Sequence, residues 1–262
     1  MPHILVFDSG VGGTSVLHEV RAQIANAHFS YVMDNALLPY GLQPQEVIKA
    51  RIRQLIAWQN QALHQVDMII IACNTASTYA LEEARRYANV PVIGVVPAIK
   101  PAAATSETKH IALLATPATS NNAYTKKLIT DFAGDCKVTA LHSTELVRIA
   151  EQLFWNGEIN CAELQRELDN INIPKEVDRL VLGCTHFPLL APALKKLLPT
   201  SMQLIDSGNA IARRAASLLA GDYVLLSEEV ERIVGASDID YYATAPIEQS
   251  QKAINYIKLE SD

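Results

Sequence analysis

Two short apolar runs constrain this chain more than any other feature. Ile69-Ile70-Ile71-Ala72 leads into Cys73, and Leu180-Val181-Leu182-Gly183 leads into Cys184. Runs of this length and composition read as strands buried on both faces. Such strands belong to parallel sheets covered by helices on both sides. In open sheets of this kind, ligands bind at the carboxyl ends of the strands. The sequence therefore places two thiols at two candidate ligand-binding edges. Two thiols facing one substrate suggest acid–base work from two sides.

The rest of the chain alternates in the same way. The first half offers candidate strands His3–Phe7, Phe29–Met33, Met68–Ala72 and Val92–Val96. Between them lie amphipathic stretches Thr14–Ala25, Pro44–His64 and Thr75–Tyr87. Pro97–Pro101 reads as a crossover, with a loop over Thr105–Lys109. The second half offers strands His110–Leu114, Lys137–Leu141, Arg179–Leu182 and Met202–Ile205. Its expected helices are Thr119–Phe132, Glu145–Trp155, Ala162–Ile171 and Leu189–Leu198. A long helix Asn209–Ala220, a short strand Asp240–Ala243 and a last helix Pro246–Ile257 complete the chain.

Nearly the same offset separates the first strands and the two cysteines, which suggests an internal duplication. The expected fold is α/β: two similar parallel-sheet domains related by pseudo-twofold symmetry, with the active site in the cleft between them. Residues 1–97 plus 209–262 would form the first domain and 98–208 the second, the tail returning to the first.

The 262 residues suffice for two such units, and a formal charge of −6 without a basic cluster argues against nucleic acid as a partner. No apolar run is long enough to span a bilayer, so no membrane partner is expected. No signal-peptide pattern precedes the first strand, which leads to the expectation of a cytoplasmic protein. The four cysteines lack any Cys-x-x-Cys spacing, so neither a zinc ribbon nor a thioredoxin-like pair is supported. No other metal-ligand spacing stands out. Cys136 and Cys161 read as packing or surface thiols.

Asp8-Ser9-Gly10-Val11-Gly12-Gly13 follows the first strand. Such a turn can present backbone N–H groups to an anion at a helix N-terminus. A dinucleotide loop is one reading, with Asp34 near the ribose-binding position. Ser15 stands where the third glycine would be, and no Gly-Lys-Ser/Thr follows for a P-loop. A tight strand–helix turn explains the glycines but not Asp8 and Ser9.

A single buried cysteine is usually a small core hydrophobe. Here both end strands, both precede polar residues, and both are expected to open helices, where a thiolate is stabilised. Cys73-Asn74-Thr75-Ala76-Ser77 and Cys184-Thr185-His186-Phe187-Pro188 carry this signal. A Cys184–His186 pair could also serve a cysteine hydrolase, which leaves Cys73 unexplained. Pro39-Tyr40-Gly41 offers backbone donors to a carboxylate, or is an ordinary turn. Thr116-Pro117-Ala118-Thr119 takes the place of Asp8-Ser9-Gly10 in the second half. Glu151, by pattern alone, belongs to a solvated helix face.

Taken together, the Asp8–Gly13, Pro39–Gly41, Ala72–Ser77 and Gly183–Pro188 motifs resemble the cofactor-independent glutamate racemases of the aspartate/glutamate racemase superfamily. The resemblance covers nearly the whole chain in the same motif order. It implies interconversion of L- and D-glutamate, with D-glutamate passing to bacterial peptidoglycan, and no cofactor. It implies that Cys73 takes the α-proton from D-glutamate and Cys184 from L-glutamate. Asp8, His186 and Glu151 match assisting groups. Asp8, Ser9, Pro39, Tyr40, Gly41, Asn74, Thr75, Thr119, Thr185 and His186 match substrate-binding positions. The segment before Glu151 departs from the family at Ser143-Thr144, where Cys-Pro often stands.

Racemisation of aspartate or another amino acid is the alternative on the same frame. A two-lobed ligand-binding module would need no reactive thiols, and an NAD oxidoreductase conflicts with Ser15. A homodimer is compatible with the sequence but not specified by it.

Overall fold

The computed structural model describes residues 1–24, 26–63, 65–219, 239–248, 250 and 253–259. Eight strands fall where the apolar runs lie: β1 His3–Asp8, β2 His28–Met33, β3 Met68–Ile71, β4 Val92–Gly94, β5 His110–Ala115, β6 Lys137–His142, β7 Arg179–Leu182 and β8 Gln203–Ile205. Two more close the chain, β9 Ile239–Ala243 and β10 Ile254–Tyr256.

The strands form two parallel sheets. One has the order β10-β9-β2-β1-β3-β4 and the other β6-β5-β7-β8. Within each half the first four strands take the same order, second–first–third–fourth.

Burial on both faces explains the unbroken apolar runs. In β1, Ile4 and Val6 join one core while Leu5 and Phe7 join another. In β3, Met68 and Ile70 face one way, Ile69 and Ile71 the other. The central β5 repeats this with Ala112 and Leu114 against Ile111, Leu113 and Ala115. Complete burial of each Val, Leu, Ile, Phe or Met among them contributes roughly 1.5–3 kcal/mol.

Ten helices cover these faces: α1 Thr14–Gln23, α2 Gln45–Ala62, α3 Asn74–Tyr87, α4 Ile99–Thr105, α5 Pro117–Ser120, α6 Ala123–Phe132, α7 Glu145–Asn156, α8 Cys161–Ile171, α9 Ala191–Leu197 and α10 Gly208–Leu219 among the described residues. Of the apolar positions at helical spacing in Pro44–His64, Ile48, Ile52, Leu55 and Ile56 are buried, while Val47 and Leu63 are only partly so. Helix α10 packs on α1, and β9 pairs with β2, so the tail returns to the first sheet. Ala220 lies outside the described residues.

Four expectations need correction. The crossover and loop after Pro97 contain a helix, α4, with Pro101 at its third position. That first turn leaves backbone N–H groups unbonded anyway, so proline costs it little. The helix expected over Thr119–Phe132 is two, α5 and α6, divided where the Asn122 side chain accepts from Tyr124 N–H and caps the second. The helix expected from Leu189 starts as a 3₁₀ turn, Phe187–Leu190, before α9. The final helix expected over Pro246–Ile257 is absent from the described residues: Ile254–Tyr256 form β10, paired with β9. Residues 249, 251 and 252 of that stretch lie outside the described residues.

Candidate active site

Cys73 follows β3 as the N-cap of α3, and Cys184 follows β7 in the other sheet. Both line one narrow, nearly closed cavity together with Ser9, Pro39, Tyr40, Gly41, Asn74, Thr75, Thr116, Val147, Thr185 and His186. The matching strand positions thus place the two thiols at one site. A larger cavity of about 940 Å³, lined by Ser15, Val95 and Asp206–Gly208, reaches Asn74 and Cys184 but not Cys73.

The two thiols have different surroundings. Cys73 does begin an α-helix, yet burial pushes its pKa well up, and the neighbouring Asp8 adds to that. The Ala76 N–H and Ser9 hydroxyl act the other way. The expected helix-end stabilisation of a thiolate is therefore outweighed at Cys73. Cys184 opens a tight turn rather than an α-helix, with Phe187 N–H donating to its carbonyl at 3.0 Å just ahead of the 3₁₀ turn Phe187–Leu190. Its neighbour is His186, whose Nδ1 lies 3.8 Å from Sγ.

Glu151 is not on a solvated face. It is the far end of a chain that starts at Cys184: its Oε1 lies 2.7 Å from His186 Nε2. The same oxygen accepts from Val11 N–H at 2.8 Å, and Oε2 accepts from Trp155 Nε1 at 3.0 Å. Burial alone would raise this carboxyl, but the His186, Val11 and Trp155 interactions hold it below its usual value. Burial opposes charge on His186 too, but its bonds to Cys184 and Glu151 raise the imidazole pKa well above the ordinary range. Both contacts favour the protonated imidazole.

Asp8 is fully buried. Its Oδ1 accepts from Ser9 N–H at 2.5 Å and Oδ2 from the Thr185 hydroxyl at 2.7 Å. Burial raises its pKa against the pull of His186 and these donors. The Thr185 bond crosses from one half to the other, as does Ser15 Oγ to the Thr185 carbonyl at 2.9 Å. Ser15, which spoils a dinucleotide pattern, thus holds the loop that carries Cys184.

The glycine-rich turn also departs from anion binding. Val11 N–H, the donor such a loop would offer, is taken by Glu151. A β-carbon on Gly10 would lie 2.1 Å from Glu151 Oε1, and one on Gly12 would lie 2.4 Å from His186 Nδ1. The glycines make room for side chains of the other half. Asp34 is equally unavailable for a ribose, being fully buried against Arg51, the Tyr40 hydroxyl and the Thr244 hydroxyl.

Several polar groups remain to meet a small polar ligand. Asn74 Nδ2 is buried with no partner, and its residue lines the cavity. Thr75, Thr116 and Thr119 form a hydroxyl triangle with 3.2 Å edges, joining the two halves. Thr119 is fully buried behind Thr75 and Thr116. Gly41 abuts Thr116, where a β-carbon would come within 2.7 Å. Val147 and Trp155 carry no signal in the sequence, whereas Val11 belongs to the glycine-rich turn and Thr116 holds the place in the second half that Asp8 holds in the first. Cys136 and Cys161 lie outside the site, the first half-buried and the second exposed.

Comparison with known proteins fits this geometry. The family model for Asp/Glu/hydantoin racemases matches residues 4–215. The chain belongs to this family. A glutamate racemase from Proteus mirabilis is 46% identical over 232 residues, covering 87% of this chain and 80% of that protein. One from Histophilus somni is 41% identical and covers 95% and 91%. Among solved structures, Escherichia coli glutamate racemase in complex with L-glutamate and activator UDP-MurNAc-Ala superposes with a TM-score of 0.84 at 39% identity, covering 95% of this chain and 91% of that one. Family membership makes the chain an isomerase, and the two sheets agree with the family's solved α/β structures.

Proposed function

We propose that this chain interconverts L- and D-glutamate without a cofactor, by two-base proton transfer at the α-carbon, and so supplies D-glutamate for peptidoglycan. One observation carries the mechanism: two thiols from the ends of strands in different sheets line a single small cavity, each with its own polar partners. Inversion requires removal of a proton from one face and delivery to the other, which two thiols supply.

Cys184 takes the α-proton of L-glutamate and Cys73 delivers one to the other face. The D-enantiomer runs the sequence in reverse. His186, bonded to Glu151 and lying beside Cys184, is the group placed to assist proton transfer at that thiol. Asp8 and Ser9 are the polar groups beside Cys73. The α-carbon is a very weak acid, so carbanion character must be stabilised by fixed donors in a site closed to water. Asn74 Nδ2, the Thr75 and Thr116 hydroxyls and the backbone of Tyr40 and Gly41 are the donors assigned to the substrate carboxylates, with Thr119 holding the two threonines from behind. Units 1–97 plus 209–262 and 98–208 close on each other around it. A cytoplasmic location follows from the substrate and the D-glutamate product's use. Among the described residues no helix is long and apolar enough to cross a membrane.

The relatives' names favour glutamate over aspartate. The decisive assay follows optical rotation of L-glutamate, and separately L-aspartate, with no added cofactor. Loss of glutamate rotation is expected in the wild type and its abolition in both Cys73→Ala and Cys184→Ala, each folded by circular dichroism. Near-normal turnover by either variant sinks the two-base reading.

A further inference from the structure

Glu151 is fixed from three directions, and one of them comes from a residue with no other polar role. Its Oε1 is shared by Val11 N–H and His186, while Oε2 has the Trp155 indole N–H at 3.0 Å. Both residues project from α7, one turn apart, the spacing at which helix side chains meet. Helix α7 packs through Leu146, Val147, Ile149 and Ala150 into the core of the second sheet. Trp155 instead packs against the core of the first sheet and stands edge-on to Phe154, ring centroids 4.9 Å apart. Glu151 and Trp155 both line an open cavity with Gly10, Leu38 and Ile247.

We propose that Trp155 is a positioning residue for the reaction: its indole N–H locks the Glu151 carboxylate so that Oε1 stays in line with His186 and, through it, Cys184. This rests on the reading that Glu151 and His186 assist Cys184. A carboxylate's terminal torsion is broad and roughly twofold. Without a donor on Oε2, the group is free to rotate toward the cavity and weaken its bond to the imidazole. The indole bond also helps keep Glu151 ionised. The other titratable groups facing this pair are Cys184, Asp8, Tyr31 and, across the cavity, Glu248.

The effect has a direction that a packing defect lacks. The enantiomers are equal in free energy, so kcat/KM is the same from either side whatever the variant. Primary isotope effects are not so bound. Weakening the Cys184 side makes its proton transfer more rate-limiting. The deuterium effect on kcat/KM then rises for L-[2-²H]glutamate and falls for D-[2-²H]glutamate.

The test compares Trp155→Phe, which keeps a ring but no donor, with Glu151→Gln and with Phe154→Leu as a packing control. Trp155→Phe is expected to lower kcat/KM about tenfold, the scale of one hydrogen bond to a charged group. It should split the isotope effects as described. It should also move the acid limb of the pH profile upward, because the carboxylate loses a donor that favours ionisation. Should Trp155→Phe fold poorly, 3-benzothienylalanine at residue 155 in a Trp58→Phe background keeps the indole shape without its N–H. A split in Glu151→Gln but not in the residue-155 variants makes Trp155 a packing residue only and overturns the proposal. The same split in Phe154→Leu also overturns it. No split in Glu151→Gln removes the assisting role of Glu151 itself.

Discussion

Gly12 of the first half and His186 of the second stand so close that a β-carbon at residue 12 would lie 2.4 Å from Nδ1 and 2.8 Å from Cε1. The ring cannot back away freely, because Nε2 is tied to Glu151 at 2.7 Å. Gly12→Ala must therefore push the imidazole off its line with Cys184 or open the two halves. Overpacking of this kind costs roughly 1–3 kcal/mol. We expect a lower melting temperature and at least a tenfold drop in kcat. An unchanged rate in Gly12→Ala would show that the ring position is not needed.

The same contact joins residues from different halves, which no local sequence pattern records. Strands β1, β3, β5 and β7 were legible because burial on both faces leaves a continuous apolar run. Both cysteines were legible because each ends such a run. Glu151 was not, since the pattern of α7 reports only which side faces its own sheet. The partners Val11 and Gly10 come from the other half, and no local periodicity records that. The helix expected near the C-terminus failed for a similar reason: β10 owes its strand to hydrogen bonds with β9. Helix α4 was hidden by two prolines, although a proline in a first turn is no breaker. The resemblance supplied what the pattern could not, by pointing to Glu151 beside the thiol motifs.

Asp8 gives a stability test with a definite sign. Its folded pKa is raised above 3.8, mainly by burial. Its ionised form is thus disfavoured in the folded state, a penalty present at neutral pH and absent once pH falls below the unfolded value. Asp8→Asn removes the charge and keeps one acceptor. We expect the variant to be at least as stable as wild type at pH 8 in urea unfolding, with any gain shrinking toward pH 4. Racemisation should fall at least tenfold if this carboxylate assists Cys73. Full activity in the variant would exclude that role.

Arg51 links the Pro39–Gly41 loop to Leu259. It binds both Asp34 oxygens, at 2.5 and 2.8 Å, and the Leu259 carbonyl at 2.8 Å. Asp34 in turn holds the Tyr40 hydroxyl at 2.6 Å. Arg51→Met leaves a buried carboxylate without its countercharge, a loss of about 3 kcal/mol. With Tyr40 less firmly held, KM should rise more than kcat falls. Equal stability by denaturant titration, or a kcat effect with unchanged KM, would contradict this account.

Isotope labelling in D2O tests the two-thiol mechanism most directly. When Cys73 removes the α-proton of D-glutamate, that proton is on the wrong face to make L-glutamate. Cys184 delivers instead, and its resting S–H has already exchanged to S–D. Return of the original proton regenerates unlabelled substrate, so D-glutamate recovered early should remain protiated while the L-product carries deuterium. Starting from L-glutamate should give the mirror result, with the roles of the thiols exchanged. The burial of Cys73, 6% exposed, and Cys184, 8% exposed, slows exchange of an abstracted proton with solvent during one turnover. A single base reaching both faces would instead carry the same hydrogen across and leave protium in the product. Initial-rate NMR after chiral separation distinguishes the two, and substantial protium in early product would falsify the two-thiol mechanism.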